Sequence, residues 1–529
     1  MANPSVRKWN MRRATELVLH PFLAAIYPAI ALLAININQL RPTSAYRSLV
    51  LVLAAITILL ILYRLILRNW HRAGILSSLT VILFFSYGHL YQFVRSSFPF
   101  GLSIARHRVL IPLWIAILVG GVWVVAKKVQ NPRSITRGLN FLLLFLLVVP
   151  AFQLADFGIR SSRAWLEAPP ELQTSSFQPQ ELDYLPDIYY IILDGYGRQD
   201  VLAEYYGYDN SAFLDWLSDA GFVVAQKSQS NYAQTELSLA SSLNMDYLQS
   251  LRDDFQEDNT DRSMLWPLIR ESTFRRVLEE FGYVTVAFET GFMWTQFEDA
   301  DFYITRNSGV IAEFYAFGQM NAFEALLIQN SAFLIMTDAV IVVPKILTPD
   351  VQAPFRDHRE RILFVLDKLS EAPTIKGPKF TFAHLVIPHK PFVFAPDDDV
   401  ELPKFFTLAE TEELNDDESY ITGYINQVVF INTRMQSVLG AILANSDKPP
   451  IIILQADHGP GHFGSNRMAI LNAYYLPDRS STLIYEEISP VNTFRIVLNE
   501  YFGANYPLLE DISYFSTYDA PYDFNIISD

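Results

Sequence analysis

The sequence predicts a multi-pass α-helical membrane domain followed by an α/β domain whose mostly parallel sheet is sandwiched by helices. Three observations lead there. Five apolar stretches, near residues 17–37, 48–67, 74–94, 109–126 and 139–159, each approach the ~20 residues that cross a bilayer core. Beyond residue 187, short apolar runs of strand length alternate with longer amphipathic ones, as in strands buried on both faces and joined by helices. Charge divides at the same place: residues 1–159 carry 16 Lys and Arg against only Glu16 and Asp156, while residues 160–529 carry 24 basic and 54 acidic residues.

The first part, residues 1–160, reads as a five-helix transmembrane domain. With a cytoplasmic N-terminus, eleven Lys and Arg fall in inside segments and five in outside loops, which is the expected bias. Five crossings then place the C-terminal part outside the cytoplasm, on a multi-pass protein of the cell membrane. The first apolar stretch lacks a short apolar region followed by a small-residue cleavage site, so it reads as a retained helix. The strongly acidic second part repels polyanions, which argues against nucleic-acid binding. With no cysteine in the chain, disulfides and thiol chemistry are excluded.

Residues 161–186, rich in Pro, Gln, Ser and acids, read as a linker. The domain that follows, residues 187–529, opens with "DIYYIILD" (187–194). "YVTVAF" (283–288), "FTFAHLVIP" (380–388) and "PIIILQAD" (450–457) are the other buried-strand patterns. Residues 209–222, 272–283 and 419–443 have helical patterns. The stretch "ETGFMWTQFEDADFY" (289–303) reads as packing and loop.

Three of the four strands end in groups able to bind metal or move protons: Asp194, His389, and the pair Asp457-His458. Ligands in open α/β sheets bind at the carboxyl ends of strands, so these groups should meet in one crevice. An Asp followed by His offers a carboxylate oxygen and an imidazole nitrogen, both suited to a divalent cation. Gly459 and Gly461 would let the backbone approach a bound group closely. His389, between Pro388 and Pro391, is placed to donate to an anionic oxygen or a leaving group. His384 lies on the opposite strand face from His389 unless the chain bends, and reads as a core or supporting histidine. His462 is either a further ligand or a substrate donor.

In "SNYAQTELSLASSLN" (230–244), Leu239, Leu243, Tyr247 and Leu251 recur every four residues, so a helix begins near Thr235 and runs on past it. Thr235 either caps that helix, worth about 1 kcal/mol, or uses the positive helix end and a nearby cation to become a nucleophile toward phosphorus or sulfur.

"DIYYIILDGYG", a Thr heading a helix about 40 residues later, "HKPF" and "ADHG" together resemble the alkaline phosphatase and sulfatase superfamily. With five membrane helices ahead of them, they are similar to lipoteichoic acid synthases and lipid A phosphoethanolamine transferases. The resemblance implies one divalent metal ion (Mn, Zn or Mg) held by Asp194, Thr235, Asp457 and His458. Thr235 would be the nucleophile that becomes phosphorylated, and His389 and His462 would bind substrate. Asp194 is the residue type of the phosphatases and phosphodiesterases, where the membrane transferases often carry Glu. The segment "TELSL" lacks the Cys/Ser-x-Pro-x-Arg pattern that formylglycine sulfatases require.

The expected function is therefore transfer of a phospho-alcohol group from a membrane lipid donor to a cell-envelope glycan or lipid acceptor. The alternatives are a phosphoric- or sulfuric-ester hydrolase on the same fold, and an inactive envelope-assembly protein.

Overall fold

The computed structural model describes residues 17–97, 107–166, 185–306, 319–337, 349–396, 400, 402, 418–461, 464–477 and 483–527. They form two compact units. One takes in the described parts of Met1–Gly158 and Gln319–Pro354; the other takes in those of Ile159–Gly318, Phe355–Leu402 and Ala409–Asp529. Gln319–Pro354, which the hydropathy pattern leaves in the aqueous part, thus folds with the N-terminal helices.

Five apolar helices occupy the five stretches: α1 (His20–Ile35), α2 (Tyr46–Leu67), α3 (Trp70–Ser97), α4 (His107–Lys127) and α5 (Pro132–Leu166). Four of these helical segments are long and apolar enough to cross a membrane. The exception is α1: its 16 residues rise only about 24 Å, short of a ~30 Å hydrocarbon core. Outward-facing Val50, Ile58, Ile66, Phe141, Phe145 and Phe152 are exposed, as lipid-facing side chains are. Inward, α1 buries Ala24, Ala25 and Ala29, small residues that let helices approach closely. Polar groups join the helices as well: His20 Nδ1 lies 2.6 Å from Ser78 Oγ, and the His20 amide donates to Asn140 at 2.8 Å. The last helix continues to Leu166, so residues 161–166 of the expected linker are helical; its residues 167–184 lie outside the described residues.

The second unit is built on β1 (Ile188–Leu193), β2 (Val223–Val224), β3 (Val284–Phe288), β4 (Phe302–Ile304), β5 (Lys379–Leu385), β6 (Ile451–Gln455) and β7 (Asn472–Tyr475). Their order is β2-β7-β6-β1-β5-β3-β4. The five strands from β6 to β4 run parallel, and β7 and β2 complete one edge antiparallel. All six residues of β1 are buried, as the continuous apolar run requires. A small hairpin of β8 (Tyr514–Phe515) and β9 (Asn525–Ile526) stands apart from this sheet.

Further helices are α6 (Thr235–Asn244), α7 (Ala322–Gln329), α8 (Ala353–Glu371), α9 (Glu418–Asn445) and α10 (Pro490–Phe502). The face of β1 that carries Tyr190 and Ile192 is covered by α6 and α10: Tyr190 Oη lies 2.8 Å from Ser242 Oγ, and its ring meets Phe494 edge-on at 4.9 Å. The helix expected to run on to Leu251 stops earlier. Met245 turns left-handed at φ 58°, its carbonyl accepts from Arg495, and Leu248–Leu251 is a separate turn. Tertiary bonds override the four-residue repeat here.

Tyr190 also donates to Gln455 Oε1 at 2.8 Å. Tyr190→Phe leaves the buried Gln455 Oε1 without its donor and the Ser242 hydroxyl without its acceptor, so it should destabilise the chain by about 1–3 kcal/mol. Denaturant unfolding of the detergent-purified protein reads this directly, and an unchanged midpoint would refute it.

Candidate metal centre and active site

Strand register explains why the candidate ligands meet. Ile192 of β1 pairs with His384 on one side and Gln455 on the other. Side chains two residues apart along a strand share a face, so Asp194, His384 and Asp457 all project from the face that α6 covers. Gly195 turns the chain at φ 73°, which suits the residue after a strand-ending Asp. Its amide donates to Asp457 Oδ1 at 3.0 Å, joining the ends of β1 and β6.

Asp194, His384 and Asp457 are all buried, and each offers a ligand atom within 4.8 Å of the others'. His384 Nε2 lies 3.2 Å from Asp194 Oδ2. Asp194 Oδ1 and Asp457 Oδ2 are buried without a hydrogen-bond partner. Both face His458 Nε2, at 3.6 and 3.5 Å. Two orphaned carboxylate oxygens and an imidazole nitrogen around one point form the donor set of a divalent cation, so these residues fit the metal that the resemblance implies. His458 Nδ1–H donates to the Gly459 carbonyl at 2.9 Å, which leaves Nε2 as the ligating atom. Burial works to raise the Asp194 carboxyl, but the charge of His389, the hydrogen bond and charge of His384, and the charge of His458 hold it below the usual carboxylate range.

His384 is the ligand-group member that the sequence reading leaves in a supporting role. Strand alternation puts it on the opposite face from His389 only if β5 continues, and β5 ends at Leu385. The following loop then folds back, with the His389 amide donating to the Asp194 carbonyl at 3.0 Å and Gln427 of α9 donating to the Pro388 and His389 carbonyls. Both histidines therefore reach the site. Thr295 Oγ1 lies 3.2 Å from His384 Nδ1, so the stretch read as packing and loop also supplies a residue that orients the histidine.

Thr235 is the first residue of α6, one past the cap position held by Gln234. Its Oγ1 lies 3.3 Å from His458 Nε2, the atom that Asp194 Oδ1 and Asp457 Oδ2 also approach. The first-turn amides of α6 have no acceptor within the helix, which suits an anionic oxygen. A buried pair fixes this helix end: Arg262 donates to Glu236 Oε2 at 2.7 Å and also to Gln234. Gln234 in turn donates to the Ser516 and Thr517 carbonyls.

A cleft opens beside these groups, lined among others by Gly195, His389, Lys390, Tyr420, Tyr424, His458 and Arg467. Arg467 escapes the sequence reading because it lies in no motif. Its Nε donates to the Ala233 carbonyl at 2.6 Å, its Nη1 to the Gly461 carbonyl, and its Nη2 approaches His458 Nε2 at 3.3 Å. Lys390 and Arg467 give the cleft the cationic character that an anionic substrate needs. His389 Nδ1–H donates to the Lys390 carbonyl at 2.6 Å. His462 lies outside the described residues. Gly459 serves a different end from the one expected, since a Cβ there would meet the Ala469 and Asn466 carbonyls at 2.6 and 2.7 Å; the close approach is to backbone.

Thr295→Val keeps the volume but removes the hydroxyl beside His384. It should weaken divalent-metal affinity by about 10–100-fold, read by titrating metal into chelator-stripped protein. Asp457→Ala should abolish retention of the metal through gel filtration. Unchanged metal content would contradict the ligand assignment.

The sulfatase family model matches residues 186–494, more than half of the chain. No curated protein matches it in sequence. Among solved structures, the chain is similar to the C-terminal periplasmic domain of EcEptC from Escherichia coli at 14% identity and TM-score 0.43, over 69% of this chain and 96% of that one. The same domain in complex with Zn aligns at 13% identity and TM-score 0.42, again over 69% and 96%. The integral membrane protein lipooligosaccharide phosphoethanolamine transferase A (EptA) from Neisseria meningitidis aligns over 92% of this chain and 94% of its own, at 13% identity and TM-score 0.37. The chain belongs to the sulfatase family, and with it to the enzymes of the alkaline phosphatase/sulfatase superfamily.

Proposed function

We propose that the protein transfers a phospho-alcohol group from a membrane lipid donor to a cell-envelope glycan or lipid, with its catalytic unit outside the cytoplasm and Thr235 as the covalent relay. One observation carries the reading: two buried carboxylate oxygens without hydrogen bonds and the Thr235 hydroxyl all surround His458 Nε2, at 3.5, 3.6 and 3.3 Å. A structural role for these groups would leave the oxygens paired.

A divalent ion held by Asp194, Asp457 and His458, with His384 and Thr235 in reach, would lower the pKa of the Thr235 hydroxyl and neutralise charge on the phosphoryl oxygens. The chain's own residues do the rest. Thr235 Oγ, its proton released to solvent, forms a bond to the donor phosphorus as the bond to the lipid oxygen breaks, leaving the phospho-alcohol esterified to Thr235. The α6 amides and Arg467 hold the non-bridging oxygens. His389 or His462 delivers a proton to the departing alkoxide. In the second half, the same histidine takes the proton of the acceptor hydroxyl, whose oxygen bonds to phosphorus as the bond to Thr235 Oγ breaks. The membrane helices support a lipid donor, because such a substrate is met at the bilayer.

Asp194 at the first ligand position favours a second reading, a phosphodiesterase in which water replaces the acceptor. Product analysis with and without added acceptor separates the two.

Thr235→Ala should eliminate turnover of lipid phosphodiesters, and Thr235→Ser should retain part of it. Mass spectrometry of wild-type protein incubated with a bacterial lipid extract should find an adduct on Thr235. Full activity in Thr235→Ala would overturn the mechanism, and activity without any adduct-forming residue would favour direct attack by water.

A further inference from the structure

The segment that leaves the sulfatase unit after Gly318 and returns at Phe355 carries an unusual run for an aqueous domain. Its described helical part, "AFEALLIQNSAFLIMT" (322–337), contains one charged residue, Glu324. That charge is neutralised where the run begins. Asn321 and Glu324 form a capping box that starts α7, Glu324 takes the guanidinium of Arg47, and Asn321 Nδ2 donates to the Ser44 carbonyl at 3.1 Å. The start of α7 is thereby pinned to the start of α2.

Depth follows from helix geometry. On α2, Arg47 stands 21 residues from Arg68, about 31 Å at 1.5 Å per residue, which is the thickness of a hydrocarbon core. On α3, Arg72 lies near the end that Arg68 marks, and Phe84 stands 12 residues further on, a rise of about 18 Å. The Ala332 amide donates to the Phe84 carbonyl at 2.8 Å. Ala332 therefore lies about 13 Å below the level of Arg47, and the eight residues of α7 rise about 12 Å. The two estimates agree. A third helix gives the same level: Trp114 Nε1 donates to the Leu83 carbonyl at 2.8 Å, and Lys127 lies 13 residues further along α4, about 20 Å away.

The packing suits that depth. Leu334 is fully buried among Tyr87, Tyr91 and Leu110, and Phe333 meets Phe84 edge-on at 5.0 Å. Gly88 admits the turn, since a Cβ there would lie 2.3 Å from the Gln329 carbonyl. Through the turn, the amides of Ser331, Ala332, Leu334, Ile335 and Met336 all find carbonyl acceptors, as a backbone inside a bilayer must. Phe333 is nonetheless 43% exposed.

We propose that residues 321–337 form a re-entrant element that descends from the level of Arg47 to about the middle of the bilayer, and that the partner of its outer surface, around Phe333, is lipid hydrocarbon. The loop enters from a fixed base: Arg306, where the chain departs, donates to Asp357 at 3.0 Å, where it returns. Arg306 follows β4, at the carboxyl edge of the sheet where Asp194 and Asp457 also lie. The chain thus passes between the sulfatase unit and the membrane part at both ends of this segment as well as after Gly158.

The absence of cysteine makes the test direct. Single variants Phe333→Cys and Met336→Cys of the full chain, spin-labelled in lipid nanodiscs, are compared with Val50→Cys on the outer face of α2 and Tyr205→Cys in the sulfatase unit. Collision with oxygen relative to a water-soluble nickel complex should be severalfold higher at 333 than at 205 and should exceed that at 50, which stands only three residues, about 4.5 Å, from Arg47. Preferential collision with nickel at 333 would overturn the proposal by placing the turn in water. Low collision with both reagents would also overturn it, by placing Phe333 inside protein. The 336 variant gives the same reading if the 333 variant fails to elute as folded protein.

Discussion

Asp194 and Asp457 are almost completely buried side by side, and this pair of negative charges shapes everything near it. Carboxylates removed from water repel one another unless a cation or a proton stands between them. The fold answers only part of that demand. Gly195 donates to one oxygen of Asp457, and His384 approaches one oxygen of Asp194. The remaining oxygen of each looks toward His458 Nε2. A divalent ion satisfies both at once, and the parallel order of β6, β1 and β5 holds the oxygens to a common point by strand register alone.

Around that point the protein distributes three kinds of charge. The carboxylates are fixed to strand ends, the helix end of α6 presents amides, and Arg467 and Lys390 line the cleft. An anionic group in the cleft is therefore met by positive potential from the helix end and the two cations. The arrangement suits a phosphate ester, whose charge sits on its non-bridging oxygens.

Much of this was legible in the chain. Continuous apolar runs marked four of the five parallel strands, missing the three-residue β4, and the run ends marked Asp194, His389 and Asp457-His458, because a buried strand must end where its polar residues can gather. Other parts had no local signature. His384 lies within a strand, so its role depends on which face the neighbouring strands present. Arg467 acts through backbone carbonyls supplied by Ala233 and Gly461, partners more than 200 and only six residues away, and no periodicity encodes that. The segment 321–337 was concealed for a different reason. It is too short to register as a membrane span, and its depth emerges only from contacts with α2, α3 and α4.

The buried ion pair between Glu236 and Arg262 adds one further consequence. Replacing such a pair by apolar side chains is often neutral or stabilising, so fold stability alone gives little reason for it to stand directly after Thr235. Its bonds reach both Gln234 and Glu236, the residues on either side of the threonine, and so they restrict rotation of α6 about its own axis. A hydroxyl held this way loses its freedom during folding, before any substrate arrives. In the proposed mechanism, the entropy of aligning it would then no longer weigh on the chemical step.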